Sequence, residues 1–177
     1  ALAWAFEEDR SDGLFLVYDL GGGTFDVSLV SVRGKDYRVL ATNGDSRLGG
    51  MDFDQILYDL AMKKFTADAG TMDDLALQQQ VRLLSEQLKI DLSTQKSASM
   101  ALPFAGKGGV AHLEFTMARE DYEKLLKPYV DRTLELCDQV LESAGVAKAQ
   151  LTDLVFSGGS TRIPLVRRRV EAWAGLK

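Results

Sequence analysis

The chain has one cysteine and one histidine, Cys137 and His112, too few for an intrachain disulfide or for a zinc site built from Cys and His. A single cysteine suits a reducing compartment, and the cytoplasm is the expected location. Cys137 falls in an apolar helical pattern and reads as a small core residue rather than a nucleophile, while His112 sits in an alternating stretch and reads as an ordinary strand residue. No apolar run approaches the length that crosses a bilayer, so no membrane span is expected. Positive charge is also scarce. Lys and Arg number 21 against 26 Asp and Glu, a formal net charge of -5, which disfavours a general nucleic-acid or anionic-membrane surface. The one basic run, Arg167 to Arg169, reads as a solvated helix face, because three adjacent helical side chains point in different directions.

What is present is the balance of a folded chain: 46% hydrophobic and 27% charged residues over 177 positions allow one core with room for a small subdomain. The opening ALAWAF reads as the end of a helix, and the sequence is expected to be a piece of a longer protein. Leu14 to Leu20 is a nearly unbroken apolar run, as in a strand covered on both faces. Alternation from Phe25 to Val30 gives a second strand, and Tyr37 to Thr42 a third, so that three antiparallel strands open the domain. Helical spacing then marks residues 50 to 67, and Leu77, Val81, Leu84, Leu88 and Leu92 mark a second helix. Residues 97 to 116 read as a hairpin around Gly106 to Gly109. Thr116 is expected to cap the next helix, which runs towards Gly145 with Tyr122, Leu126, Tyr129 and Cys137 inward and a break or kink at Pro128. Leu154 to Phe156 is a short strand, Ser157 to Thr161 a turn, and Ile163 to Trp173 a helix with Pro164 in its first turn.

Three segments could carry chemistry. In Asp19 to Asp26 (DLGGGTFD), Gly21, Gly22 and Gly23 let the backbone approach a ligand and aim amides at phosphate oxygens, with the Thr24 hydroxyl beside them. Asp19 and Asp26 fall on opposite arms near the tip, where two carboxylates could hold a hydrated magnesium ion or orient a water. A glycine-rich turn with two solvated aspartates is the plainer alternative. In SGGSTR, Gly158 and Gly159 precede a helix whose free amides favour an anion or a polar nucleotide edge, although Ser160 or Thr161 could equally serve as a cap. In the second helix Glu86, Lys89 and Ser93 share one face, with Ile90 turned to the same side. That face suits an adenine ring and its ribose, or is simply solvated. None of the three is a GxxxxGK[ST] loop or a GxGxxG leading directly into a helix.

DLGGGTFDVS, ATNGDSRLGGMDFD, SEQLKIDLS and GGSTRIP, in that order, make the chain resemble the nucleotide-binding domain of the heat shock protein 70 family of DnaK-like chaperones over essentially its whole length. The resemblance implies an α/β fold, the actin-like (ribonuclease H-like) ATPase lobe, with a mixed sheet flanked by helices and a smaller α+β subdomain. It implies the second lobe, with residues 1-49 and 117-177 as the core and 50-116 as the subdomain. By position, Gly21 to Thr24 would contact the phosphates of ATP or ADP, with Asp19, Thr24 and Asp26 catalytic and both aspartates near Mg through water. Glu86, Lys89, Ile90 and Ser93 would contact adenosine, and Gly158, Gly159, Ser160 and Arg162 would flank the base. Ile90 stands where some members have arginine, Met51 replaces the usual acidic residue and Arg47 the usual histidine.

The implied function is the adenosine-side lobe of a stress-response chaperone that couples ATP hydrolysis to binding and release of unfolded polypeptide through a domain outside this chain. A J-domain co-chaperone and a nucleotide-exchange factor are the implied partners. The phosphate loop and lysine of the first lobe are absent here, so the fragment is expected to bind nucleotide weakly and not to turn over. A protein-interaction module that docks exchange factors, and an actin-like filament protein, are the other readings.

Overall fold

The computed structural model describes residues 12–69, 74–106 and 109–176. The reading of ALAWAF as a helix end lies outside them. Within the described residues the elements run β1 (Gly13–Leu20), β2 (Phe25–Arg33), β3 (Asp36–Asp45), α1 (Gly50–Ala69), α2 (Leu75–Thr94), β4 (Ser97–Gly106), β5 (Gly109–Ala118), α3 (Arg119–Ala144), β6 (Asp153–Ser157) and α4 (Pro164–Ala174). The chain divides into two compact units, residues 1–50 with 127–177 and residues 51–126.

The first unit is built on a four-stranded mixed sheet of order β3-β2-β1-β6. β2 pairs antiparallel with both β1 and β3, whereas β6 runs parallel to β1 with Asp19 opposite Ser157. Burial follows the pattern of the sequence. Phe15 to Tyr18 are all buried in β1, and in β2 the buried residues Phe25, Val27 and Leu29 alternate with the more open Asp26 and Ser28, until a register shift against β3 between Leu29 and Val30, where Val30 is buried too. Phe15, Val17, Val30, Val32 and Val155 form one apolar cluster on a face of this sheet. Cys137 is buried as expected, and burial pushes its thiol pKa up, away from a reactive thiolate. In the basic run, Arg167 stacks over the Phe156 ring at 4.9 Å while Arg169 pairs with Asp131, so these two neighbours serve different contacts.

A buried polar relay fixes Tyr18. The Thr133 hydroxyl donates to the Val130 carbonyl at 2.7 Å, which commits its one proton. The Tyr18 hydroxyl must therefore donate to Thr133 Oγ1, 2.7 Å away. Removing the acceptor strands a buried hydroxyl, so Thr133→Val is expected to cost about 1–3 kcal/mol in urea unfolding. Adding Tyr18→Phe should recover part of that loss, and a double variant as unstable as the sum of the singles would contradict the relay.

The second unit holds α1, α2, the β4–β5 hairpin and the first turns of α3. Asp74 caps α2 by accepting from the Ala76 and Leu77 amides. Val81, Leu88 and Leu92 are buried along one side of it. Two expectations fail in this region. Thr116 does not cap a helix, because the hairpin extends past it to Ala118 and its hydroxyl bonds Ser99 across the strands at 2.7 Å. Pro128 does not end its helix: α3 continues through it to Ala144. A proline costs ~3 kcal/mol in a helix interior, yet its φ suits the α conformation, and a long helix with buried residues at Val130, Leu134, Leu136 and Cys137 beyond the proline can absorb that loss. Inward packing at this point falls to Val130, with Tyr129 only half-buried.

Candidate functional site

In the first unit the parallel neighbours β1 and β6 both run into glycine-bearing loops, Gly21 to Gly23 and Gly158 to Gly159. Their pairing brings the two loops to the same end of the sheet, the carboxyl end, where open α/β sheets receive ligands. The two loops touch. The Ser160 hydroxyl donates to the Gly21 carbonyl at 3.1 Å, and the same carbonyl accepts the Gly50 amide at 2.9 Å. Gly21's own amide donates to the Thr24 carbonyl at 3.0 Å and closes the turn. Among the described residues, no partner is seen for the Gly22 and Gly23 amides.

Left-handed backbone is not the reason for glycine in this loop. None of Gly21, Gly22 and Gly23 has a positive φ; among the described residues the positive values are at Gly34, Gly145, Gly158 and Gly175. Space is what matters instead. A Cβ on Gly22 would meet nothing within 4 Å, so its absence keeps a surface open, whereas a Cβ on Gly49 would come within 2.7 Å of the Gly22 and Gly23 backbone. Gly158 is doubly constrained, with φ at +85° and its Cα facing the Leu20 carbonyl.

Asp19 and Asp26 are direct cross-strand partners in the β1–β2 ladder and therefore share one face. Two like charges in that register repel, and a cation between them would relieve the repulsion. Asp19 is half-buried, Asp26 is exposed, and Thr24 Oγ1 donates to Asp26 Oδ2 at 3.3 Å. No group of three or more His, Cys, Asp or Glu side chains able to hold a metal ion occurs among the described residues. Two carboxylates without a third ligand fit an ion that keeps most of its waters, which is how magnesium binds beside phosphates.

The SGGSTR segment forms a short 3-10 turn, Gly159–Arg162, before α4. Capping by its hydroxyls does not occur: the residue preceding α4 is Ile163, with no side-chain cap, and Thr161 Oγ1 donates to the Gly158 carbonyl at 2.7 Å. Arg162 is exposed.

In the second unit α2 carries Glu86, Lys89, Ile90 and Ser93. Glu86 is exposed, Ile90 presents half its surface to solvent, and Ser93 donates to the Lys89 carbonyl at 3.1 Å. Sequence spacing missed Asp54 of α1, whose carboxylate holds the Lys89 ammonium at 2.8 Å and 2.9 Å through its two oxygens. The partners are 35 residues apart, so no helical period could reveal them. A cleft of about 630 Å³ lies beside the pair, lined by Met51, Asp54, Tyr58, Arg82, Leu83 and Glu86. Arg82 stacks on the Tyr58 ring at 4.2 Å and donates to Gln55.

Burial raises the Asp54 pKa above 3.8, outweighing the Lys89 hydrogen bond and charge that lower it, and the nearby Glu86 charge adds to the rise. The folded chain thus holds this proton more tightly than the unfolded one, and the stability it contributes is lost as pH rises from the ordinary carboxylate value of 3.8 through the raised folded value. Asp54→Asn is expected to remove that loss. Urea midpoints taken at several pH values should show the variant gaining on the parent as pH rises, and a variant that falls behind would reverse the sign argued here.

A family profile described as Hsp70 protein matches residues 1–177. The chain belongs to the Hsp70 family. Its mixed sheet with helices is the Hsp70 actin-like ATPase architecture, and family membership makes it a chaperone-type, nucleotide-binding ATPase domain of the heat-shock class.

Proposed function

We propose that this Hsp70 chain is the adenosine-side lobe of the ATPase domain, with Gly21 to Thr24 as its phosphate loop. The observation that carries the reading is the convergence of the β1 and β6 loops, joined through the Gly21 carbonyl, with the Gly22 and Gly23 amides left over. In this reading those amides and the Thr24 hydroxyl meet the phosphate oxygens of ATP or ADP. Asp19 and Asp26 hold the water shell of Mg and orient the attacking water. Magnesium would supply charge neutralisation at the phosphates. Glu86, Lys89 and Ser93 meet the ribose, Ile90 gives the base an apolar surface, and Gly158, Gly159 and Arg162, with the backbone of Ser160, form the loop on the other side of the base.

In-line phosphoryl transfer needs charged groups closed around the phosphates from both sides, and this chain supplies one side. Its expected behaviour is weak ADP and ATP binding with phosphate release near the uncatalysed background. Unfolded-polypeptide clients, held by another domain, and a J-domain co-chaperone and nucleotide-exchange factor are its proposed partners, and a reducing cytoplasm its proposed location. Isothermal titration tests the core of this reading. Measurable heat with ADP below millimolar concentration supports it, and silence at millimolar ADP and ATP opposes it.

A further inference from the structure

The phosphate loop is held in place by a side chain far away in sequence. Ser160 is almost fully buried at 6% exposure, and its hydroxyl spans 139 residues of sequence to reach the Gly21 carbonyl. Gly50 donates to the same oxygen. A trans peptide is planar, so the carbonyl of one residue and the amide N–H of the next point in opposite directions. Fixing the Gly21 carbonyl inward therefore turns the Gly22 N–H away from Ser160 and Gly50, on a residue whose Cβ position is also open.

We infer that the Ser160 hydroxyl is a positioning residue for phosphate binding, acting through the Gly21–Gly22 peptide rather than on the base. The inference rests on the phosphate-loop reading proposed above and adds a division of labour within the SGGSTR loop. The hydroxyl has one proton, and the Gly21 carbonyl takes it. With that anchor removed, the Gly21 carbonyl keeps the Gly50 amide but loses its second donor, and the Gly22 N–H is held less firmly in its outward setting.

The test separates the phosphate and nucleoside halves of a ligand. Ser160→Ala is expected to weaken binding of inorganic tripolyphosphate about fivefold, the equivalent of ~1 kcal/mol for one net hydrogen bond, and to change adenosine binding by less than about twofold. Ser160→Thr, which keeps the hydroxyl, should restore tripolyphosphate binding. A loss of adenosine binding with tripolyphosphate unaffected would overturn the inference and make Ser160 a base contact. Amide hydrogen exchange gives a readout that needs no ligand. The Gly50 amide should exchange about fivefold faster in Ser160→Ala while the core amide of Leu29 is unchanged, and unaltered Gly50 exchange overturns the inference. If the parent chain binds neither probe, the phosphate-loop reading fails by itself and the exchange result alone decides whether Ser160 anchors the loop. Should the alanine variant not fold, Ser160→Cys, a near-isosteric weak donor, carries the same two measurements.

Discussion

Gly158→Ala is expected to be among the most damaging single methyls in the chain, lowering stability by about 2–6 kcal/mol. Two costs combine. Gly158 has φ +85° and ψ 146°, a region essentially closed to residues with a Cβ, and forcing alanine there costs on the order of 1–3 kcal/mol. The new Cβ would also lie 2.2 Å from the Leu20 carbonyl oxygen, 2.5 Å from its carbon and 2.9 Å from Asp19 Oδ1. Leu20 is fully buried and paired with Phe25 in the β1–β2 ladder, so this backbone cannot retreat without disturbing the sheet, which adds roughly 1–3 kcal/mol. For a domain of this size that loss lowers Tm by roughly 10 °C. Differential scanning calorimetry reads it directly. A variant that melts within about two degrees of the parent would mean that β1 and the Gly158 loop do not approach as closely as described.

Gly49→Ala is expected to act differently, on the site more than on the fold. Its Cβ would lie 2.7 Å from Gly22 C, Gly22 O and Gly23 N, all backbone atoms of the phosphate loop. That loop is a hairpin tip with open space on its outer side, so it can shift, and the stability loss should stay near 1–2 kcal/mol. The shift moves the amides that the proposed function depends on, and a misplaced cradle loses charge-assisted hydrogen bonds of about 1.5–3 kcal/mol each. ADP affinity is therefore expected to fall by at least about tenfold. Gly22→Ala is the contrasting case, with negative φ and no atom near its Cβ; it should melt like the parent yet also lose ADP. Unchanged ADP affinity in both variants would detach the glycines from phosphate binding.

Much of this fold is legible from local pattern. The period of two in Phe25 to Leu29 and the 3.6-residue period of the α2 stripe each report which side of an element is buried, because burial repeats with backbone geometry. Glycine turns mark where β1 and β6 end, and those turns carry the candidate loops. What stayed hidden is non-local. Asp54 meets Lys89, and Ser160 meets Gly21, only because the elements fold against one another. Pro128 was misread because helix propensity is a local cost, and packing along a helix from Arg119 to Ala144 outweighs it. Thr116 was misread because a hydroxyl before a helix looks the same whether it caps that helix or bonds across a hairpin. Glycine identity also conceals its own cause: Gly22 is there for open space, Gly49 for close approach and Gly158 for a positive φ.

The central claim is that Gly21 to Thr24 cradles the phosphates of an adenine nucleotide. Residue-resolved amide NMR on the isotope-labelled chain, titrated with ADP and separately with adenosine, tests it most directly. The account expects ADP to shift the Gly22, Gly23 and Thr24 amides, with adenosine leaving those three in place while shifting residues around Lys89 and Ser93. ADP shifts confined to other parts of the chain, with Gly22 and Gly23 unmoved at millimolar ligand, would contradict it.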